Sequence, residues 1–268
     1  MINTEHAYAC SQGDLKMYEV FDVKDYEYLA TLDIKTSEIC RNLDGKKFSL
    51  SEAVPGVNYP PMHPHCRSTT VPVDVDDLED SVRIARDENG KNIYVDSNLS
   101  YREWYKKYVE TNPQYLLKEK KWKNRHVDKK QYEDYKIKYG KEIPKSFEKF
   151  QNMKYNNTNK LEEIKERHSL KKSIFSSEKS LDGHFNKHNS EFGYKNKEEY
   201  LKKSQELLGK AESENIHRYK TKSGRHVVYD KKSNEIVIYD KGKIKTYMKP
   251  NNGYEYYLEQ YRKDIENE

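Results

Sequence analysis

The chain is poor in the residues that mark several specialised classes of protein. Its 268 residues include 3 cysteines, 8 prolines, 11 glycines and 2 tryptophans. Cys10, Cys40 and Cys66 are an odd number without the spacing of a disulfide framework, which argues against a small secreted scaffold. No apolar run is long enough for a signal peptide or a membrane span. We therefore expect reduced thiols, a cytoplasmic setting and no membrane partner.

Apolar residues are also scarce, at 34% of the chain against 35% charged residues. This balance argues against one large continuous core. Tyrosine is the exception, because 24 tyrosines can supply buried area where leucine, isoleucine and valine are sparse. The composition predicts two modest cores joined by a solvated segment.

Positive charge is concentrated in the middle of the chain. Residues 117–180 carry 19 basic and 10 acidic groups, whereas residues 1–116 carry 13 and 20. Such an excess suits a phosphate backbone or another acidic surface, and it is equally typical of a solvated helical connector.

The pattern of elements predicts an α+β protein in three parts. Residues 1–80 form a module whose upstream portion we expect to be missing, with little regular structure in the turn-rich run 44–70. Residues 81–174 form a basic, mostly helical connector whose short helices share little apolar surface. Residues 175–268 form a module of helices and a four-stranded antiparallel sheet, with strands at 216–220, 225–229, 235–239 and 243–248.

Two histidines stand four residues apart at the start of the last module. On a helix, His184, His188 and Glu191 share one face, with Lys187 at its edge. Histidine is the side chain best suited to exchanging protons near neutral pH. Two histidines on a lysine-rich helix are also commonly solvated or packed. A shared zinc is a further alternative, but Phe185 stands where the metalloprotease pattern requires glutamate.

Cleavage of RNA without a metal needs a base, an acid and cations around the phosphate. His184 and His188 can divide the proton transfers, or one can act while the other binds phosphate. Attack by the substrate's own 2′-hydroxyl would spare DNA, which lacks it. The candidate cations are Lys187, Arg225 and Lys249, and Thr246 is a candidate hydrogen-bond donor.

Residues 181–262 resemble the phage-borne and polymorphic-toxin nucleases of the barnase, EndoU, colicin and RelE superfamily. The matching residues are His184-Phe185-Asn186-Lys187-His188, Glu191-Phe192-Gly193, Gly224-Arg225, Lys245-Thr246 and Lys249-Pro250. The resemblance implies a toxin-like, metal-independent endoribonuclease that needs no cofactor, with RNA, including tRNA, as substrate and an immunity protein as partner. It implies catalytic roles for His184, Lys187, His188, Arg225, Thr246 and Lys249.

A second cluster lies upstream, where turns can bring Cys40, His63 and Cys66 together. Soft ligands of this kind suit zinc. Buried thiols beside a rigid proline loop are an equal alternative, because a fourth ligand is not evident.

Four motifs stand in the first part of the chain: Ala30-Thr31-Leu32-Asp33, Cys40, Leu43-Asp44-Gly45-Lys46-Lys47-Phe48 and Pro60-Pro61-Met62-His63-Pro64-His65-Cys66-Arg67. With these motifs, residues 1–73 resemble the phage minor head protein family, the head morphogenesis proteins related to the Mu F protein. Many members have a second cysteine where this chain has Ser37. The resemblance implies a virion protein that contacts portal or capsid subunits and reaches the cytoplasm of the bacterial host. The alternative to a nuclease-bearing head protein is a non-catalytic virion protein that binds nucleic acid or portal subunits.

Overall fold

The computed structural model describes residues 2–73 and 81–266, and the side chains from residue 4 onward. It confirms the α+β class. The chain divides into two compact units, residues 1–127 and 128–268. The three-part division at residues 80 and 174 stays a prediction.

The first unit opens with a long helix and a small sheet. Helix α1 (Ile2–Val20) precedes β1 (Asp25–Leu29), which is the central strand of an antiparallel sheet. Its neighbours are β2 (Lys47–Ser49) and β3 (Thr69–Pro72), and the short helix α2 (Glu38–Leu43) follows β1. The prediction of little regular structure at 44–70 missed β2, which forms because Phe48 lies opposite the buried Tyr26.

A hairpin follows the small sheet. Strands β4 (Val82–Arg86) and β5 (Asn92–Asp96) are joined by a turn in which Asp87 accepts hydrogen bonds from the backbone of Asn89 and Lys91. Helix α3 (Tyr101–Trp104), a π-helical turn (Tyr105–Val109) and α4 (Pro113–Lys123) complete the unit.

The helices after the hairpin do not behave as a solvated connector. Trp104 is fully buried in one core that also contains Leu32, Ala85 and Val95. The expectation of little shared apolar surface is wrong here, since tyrosine and tryptophan supply the burial that few aliphatic residues could.

The second unit begins with a bundle of three helices: α5 (Arg125–Tyr139), in which the division between the units falls, α6 (Phe147–Asn156) and α7 (Thr158–Leu170). Their core is largely aromatic. Asp128 is fully buried beneath it, where Gln151, Lys154 and Tyr155 donate hydrogen bonds to its carboxylate.

The last part of this unit is a four-stranded sheet between two layers of helix. Helices α8 (Glu178–Phe192) and α9 (Lys197–Leu208) precede β6 (Ile216–Lys220), β7 (His226–Asp230), β8 (Glu235–Asp240) and β9 (Lys243–Met248). The strands form the predicted antiparallel meander, and α10 (Tyr254–Glu266) ends the described chain.

Each face of this sheet packs against a different helical layer. Val228, Val237 and Tyr247 point toward α9 and Tyr200. Side chains on the opposite face, including Ile238, pack around Tyr257 of α10. The sheet is covered on both sides, so its two central strands, β7 and β8, carry buried apolar side chains on both faces.

Among the described residues, no helix is both long and apolar enough to cross a lipid bilayer.

Candidate functional site

Two clusters contain the residues that the sequence singles out, one in each unit. The first lies where α2 meets the proline loop 60–66. Ser37 caps the first turn of α2 by accepting a hydrogen bond from the backbone of Cys40, which fixes that thiol on the inner side of the helix. The backbone N–H of Cys66 donates to the carbonyl of His63 at 3.1 Å, so a tight turn sets both side chains against Cys40.

The geometry of this cluster fits a zinc ion. The ligand atoms of Cys40, His63 and Cys66 all lie within 4.8 Å of one another. Their separations are 3.7 Å between the two sulfurs and 3.3 Å between Cys40 Sγ and His63 Nε2. A tetrahedral zinc with ordinary bond lengths holds two thiolates about 3.8 Å apart, which is close to the separation of the two sulfurs here. The three predicted ligands therefore meet as predicted.

The ring of His63 is oriented for such a role. Its Nδ1 donates a hydrogen bond to the carbonyl of Pro64 at 2.9 Å, so Nε2 carries the lone pair and faces Cys40, as a metal ligand must. Ser37 Oγ lies 2.8 Å from the same Nε2 and adjoins the place of a fourth ligand.

The contact between the two thiols shifts their pKa values in opposite directions. A hydrogen bond between the sulfurs lowers the pKa of Cys66, while the same contact, followed by burial, raises the pKa of Cys40. The lowered pKa of Cys66 favours its thiolate, which is the form that binds zinc.

The second cluster lies on α8. Ser177 caps the start of this helix, and Gly193 ends it with a φ of +73°, a left-handed conformation that favours glycine. Between them, His184 and His188 stack with ring centroids 6.1 Å apart. The predicted common face of the helix is therefore confirmed, with Glu191 one turn beyond His188.

The environments of the two imidazoles differ. His188 is 7% exposed, and its Nδ1 lies 2.6 Å from Glu191 Oε1. His184 packs against Phe175, and its buried Nδ1 has no hydrogen-bond partner among the described residues. Burial lowers the pKa of His184, and the charges of His188 and Lys187 lower it further. His184 is thus neutral near pH 7 and able to accept a proton.

Four of the six predicted catalytic residues come together and two do not. Lys187 is exposed beside the two histidines. The backbone N–H of Lys249 donates to Glu191 Oε2 at 2.7 Å, and its ammonium lies 5.3 Å from the centroid of the Phe192 ring.

Arg225 and Thr246 lie on the other face of the sheet. Arg225 Nε is 2.9 Å from Asp264 Oδ2, and its guanidinium also donates to Gln260, both on α10. Thr246 pairs with Ile238, which packs toward the same helix. The expected convergence of all six residues around one phosphate is not seen, and the catalytic assignment of each stays a prediction.

Comparison with known proteins bears on the first cluster. Residues 1–71 match the family model described as Phage Mu protein F like protein. These residues, called the Mu F-like segment below, are therefore similar to that family. The match includes all three residues of the cysteine cluster and nearly the whole of the predicted span 1–73. The chain has no match among curated proteins.

Outside the Mu F-like segment, Glu191 is the functional candidate to which the sequence assigns no role. Its spacing of three residues from His188 places it on the right face of the helix, and this signal is present in the sequence. Its second contact, to the backbone of Lys249 58 residues later, depends on how α8 packs against the end of β9. No local pattern could have revealed that contact.

Proposed function

We propose that this chain is a phage head protein whose C-terminal module is a metal-independent endoribonuclease. The Mu F-like segment supports a place in the virion, in contact with portal or capsid subunits. The stacked pair of His184 and His188, with His188 held by a carboxylate, is the observation that carries the nuclease.

The proposed chemistry uses the two histidines in turn. His184, neutral because burial lowers its pKa, accepts the proton of the RNA 2′-hydroxyl. The 2′-oxygen attacks the phosphorus, the bond to the 5′-oxygen breaks, and His188 protonates that leaving oxygen. A 2′,3′-cyclic phosphate and a free 5′-hydroxyl are the products.

Cations around the phosphate come from a smaller set than the sequence predicts. Lys187 is exposed next to the imidazoles, and Lys249 is tied to Glu191 by its backbone. Both can stabilise charge on the phosphoryl oxygens. We leave Arg225 and Thr246 out of this role, because Arg225 is paired with Asp264 and Thr246 shares its face.

In this proposal the module is carried inside the head and enters the host cell with the DNA. RNA, including tRNA, is its substrate in the host cytoplasm, and an immunity protein would protect cells that express it. Requirement for a 2′-hydroxyl protects the packaged DNA from cleavage.

Incubation of the full chain with total RNA in EDTA tests the nuclease. We expect cleavage by the wild type, a loss of at least about 100-fold in the His184→Ala, His188→Ala double variant, and no loss in His126→Ala, which removes an exposed histidine elsewhere. Intact RNA, or equal cleavage by all three proteins, would rule the assignment out.

We also propose that Cys40, His63 and Cys66 bind zinc. The sulfur separation of 3.7 Å and the orientation of His63 support this assignment. Metal analysis of the purified chain should give about one zinc per chain, falling to near zero in Cys66→Ser. Cys10→Ser, which changes an exposed cysteine, is the matched control and should retain the metal.

The positive middle of the chain favours a second function. Residues 117–180 carry 19 basic and 10 acidic groups, which suits binding to nucleic acid or to an acidic portal surface. A purely binding protein would show salt-sensitive association without cleavage and without dependence on the two histidines.

A further inference from the structure

Glu191 connects the end of α8 to the end of the last strand. Each of its carboxylate oxygens accepts a different hydrogen bond. Oε1 accepts from His188 Nδ1 at 2.6 Å, and Oε2 accepts from the backbone N–H of Lys249 at 2.7 Å. His188 belongs to the helix and Lys249 follows β9, so one side chain holds two elements at a fixed separation.

We propose that Glu191 is the positioning residue of the C-terminal site, which fixes the tautomer of His188 and anchors Lys249 beside it. This inference rests on the proposed function of the same site. It adds a residue to which the sequence assigns no role.

The tautomer follows from the chemistry of the two groups. An ionised carboxylate can only accept hydrogen bonds, so the imidazole proton must reside on Nδ1. Nε2 then carries the lone pair in the neutral ring and the second proton in the cation. The nitrogen that exchanges protons with a substrate is thereby the same in both states, and the ring cannot turn without breaking a charge-assisted bond.

The second bond sets the position of a cation. With its backbone held by Glu191, Lys249 passes over the ring of Phe192, where its ammonium lies 5.3 Å from the centroid. Gly193 ends the helix two residues after Glu191. The side-chain amide of Asn189 donates a hydrogen bond to the carbonyl of Tyr194 and accepts one from its backbone N–H. These bonds fix the turn that carries Glu191.

Glu191→Gln tests whether the Glu191 side chain positions His188 or only stabilises the fold. The amide keeps the size of the side chain, but an NH2 donor replaces one of the two carboxylate oxygens, so either His188 Nδ1 or the Lys249 N–H loses its acceptor. We expect a loss of the Nδ1–H tautomer in a large fraction of molecules. The measurement is the pair of ¹⁵N shifts of His188 in the full chain at about pH 8.5, where imidazoles are neutral.

The His188 signals are assigned by their loss in His188→Gln. Glu206→Gln is the matched control, because Glu206 pairs with Lys203 on α9 and has no bond to the site. RNA cleavage should fall at least about tenfold in Glu191→Gln and should not change in Glu206→Gln.

The outcomes are distinct. Unchanged His188 shifts in Glu191→Gln would overturn the inference, whatever the activity. If the wild type does not cleave RNA, the proposed nuclease fails, but the shifts still decide whether Glu191 positions His188. If the Gln variant does not fold, Glu191→Asp provides the same test, since its shorter side chain cannot span both donors.

Discussion

The two clusters differ in how their members are held, and this difference explains which of them the sequence could foresee. Cys40, His63 and Cys66 stand on a short helix and a tight loop, and all three meet within 4.8 Å. The candidates of the second cluster stand on α8, within β9 and next to the ends of β7 and β9, and only those on α8 and after β9 come together. A helix face or a tight turn follows from local spacing, whereas the face of a strand depends on its register.

Metal removal should give the largest difference between the two clusters. If zinc stabilises the cysteine cluster, a strong chelator should lower the free energy of unfolding around Cys40 by about 5 kcal/mol or more and leave α8 unaffected. Hydrogen exchange measured by mass spectrometry would show the change peptide by peptide. Equal responses of the wild type and Cys66→Ser to the chelator would contradict a structural metal.

Asp44→Ala tests whether the Mu F-like segment and the hairpin behave as one folding unit. The Asp44 side chain is 1% exposed, pairs with Arg83 at 2.8 Å and accepts from the backbone of Ala30 and Tyr101. Its removal leaves Arg83 buried without its partner, so we expect the free energy of unfolding, measured in urea, to fall by about 3–5 kcal/mol.

Asp25→Ala is the matched control for that change, because Asp25 is exposed at the start of β1. A loss below about 1 kcal/mol in Asp44→Ala would instead mean that residues 81–104 contribute little to the stability of the segment before them.

The second unit should lose stability in mild acid. Burial lowers the pKa of His226 below its ordinary value of 6.5, against the opposing effect of Glu166, and Arg218 and Lys220 lower it further. The unfolded chain therefore binds this proton more readily. Stability is complete above about pH 6.5 and is lost as the pH falls through the lower folded value.

His226→Gln should flatten this acid dependence, by at most about 1.4 kcal/mol per pH unit. Urea unfolding followed between about pH 7 and pH 5 measures the slope. An identical slope in the wild type and the variant would show that other groups cause the acid sensitivity.

Two glycines of α8 should give the smallest effects, with opposite signs. Gly193→Ala forces a side chain into φ +73° and should cost about 1 kcal/mol. Gly183→Ala lies inside the helix, where an added Cβ meets no atom within 4 Å, and should stabilise by up to about 1 kcal/mol. Thermal unfolding of the two variants gives the comparison, and a shared sign would contradict the assigned end of the helix.

Thr246 shows why part of the second site was beyond prediction. In a regular strand, Ile244 and Thr246 would share a face, and Ile244 packs toward α9. The register shifts between Ile238 and Tyr239, so Tyr239 pairs with Ile244 while Ile238 pairs with Thr246. This bulge turns Thr246 to the α10 face. Nothing in the spacing of residues 243–248 marks the bulge.

The strands and helices themselves were largely predictable. The expected strands 216–220 and 243–248 coincide with β6 and β9. The turns between strands mark these boundaries in the sequence. The strand β2 was missed, because three residues stabilised by pairing with Tyr26 carry no pattern of their own.

The sequence by itself determined the α+β class, the four-stranded meander, the shared face of His184 and His188, and the ligand types of the cysteine cluster. These properties depend on neighbours within one turn of helix or one short loop. Only the tertiary structure decided that Glu191 reaches Lys249 and that Arg225 and Thr246 face α10. Contacts between residues far apart in the chain depend on register and packing, and a change of one residue in register reverses which side chains meet.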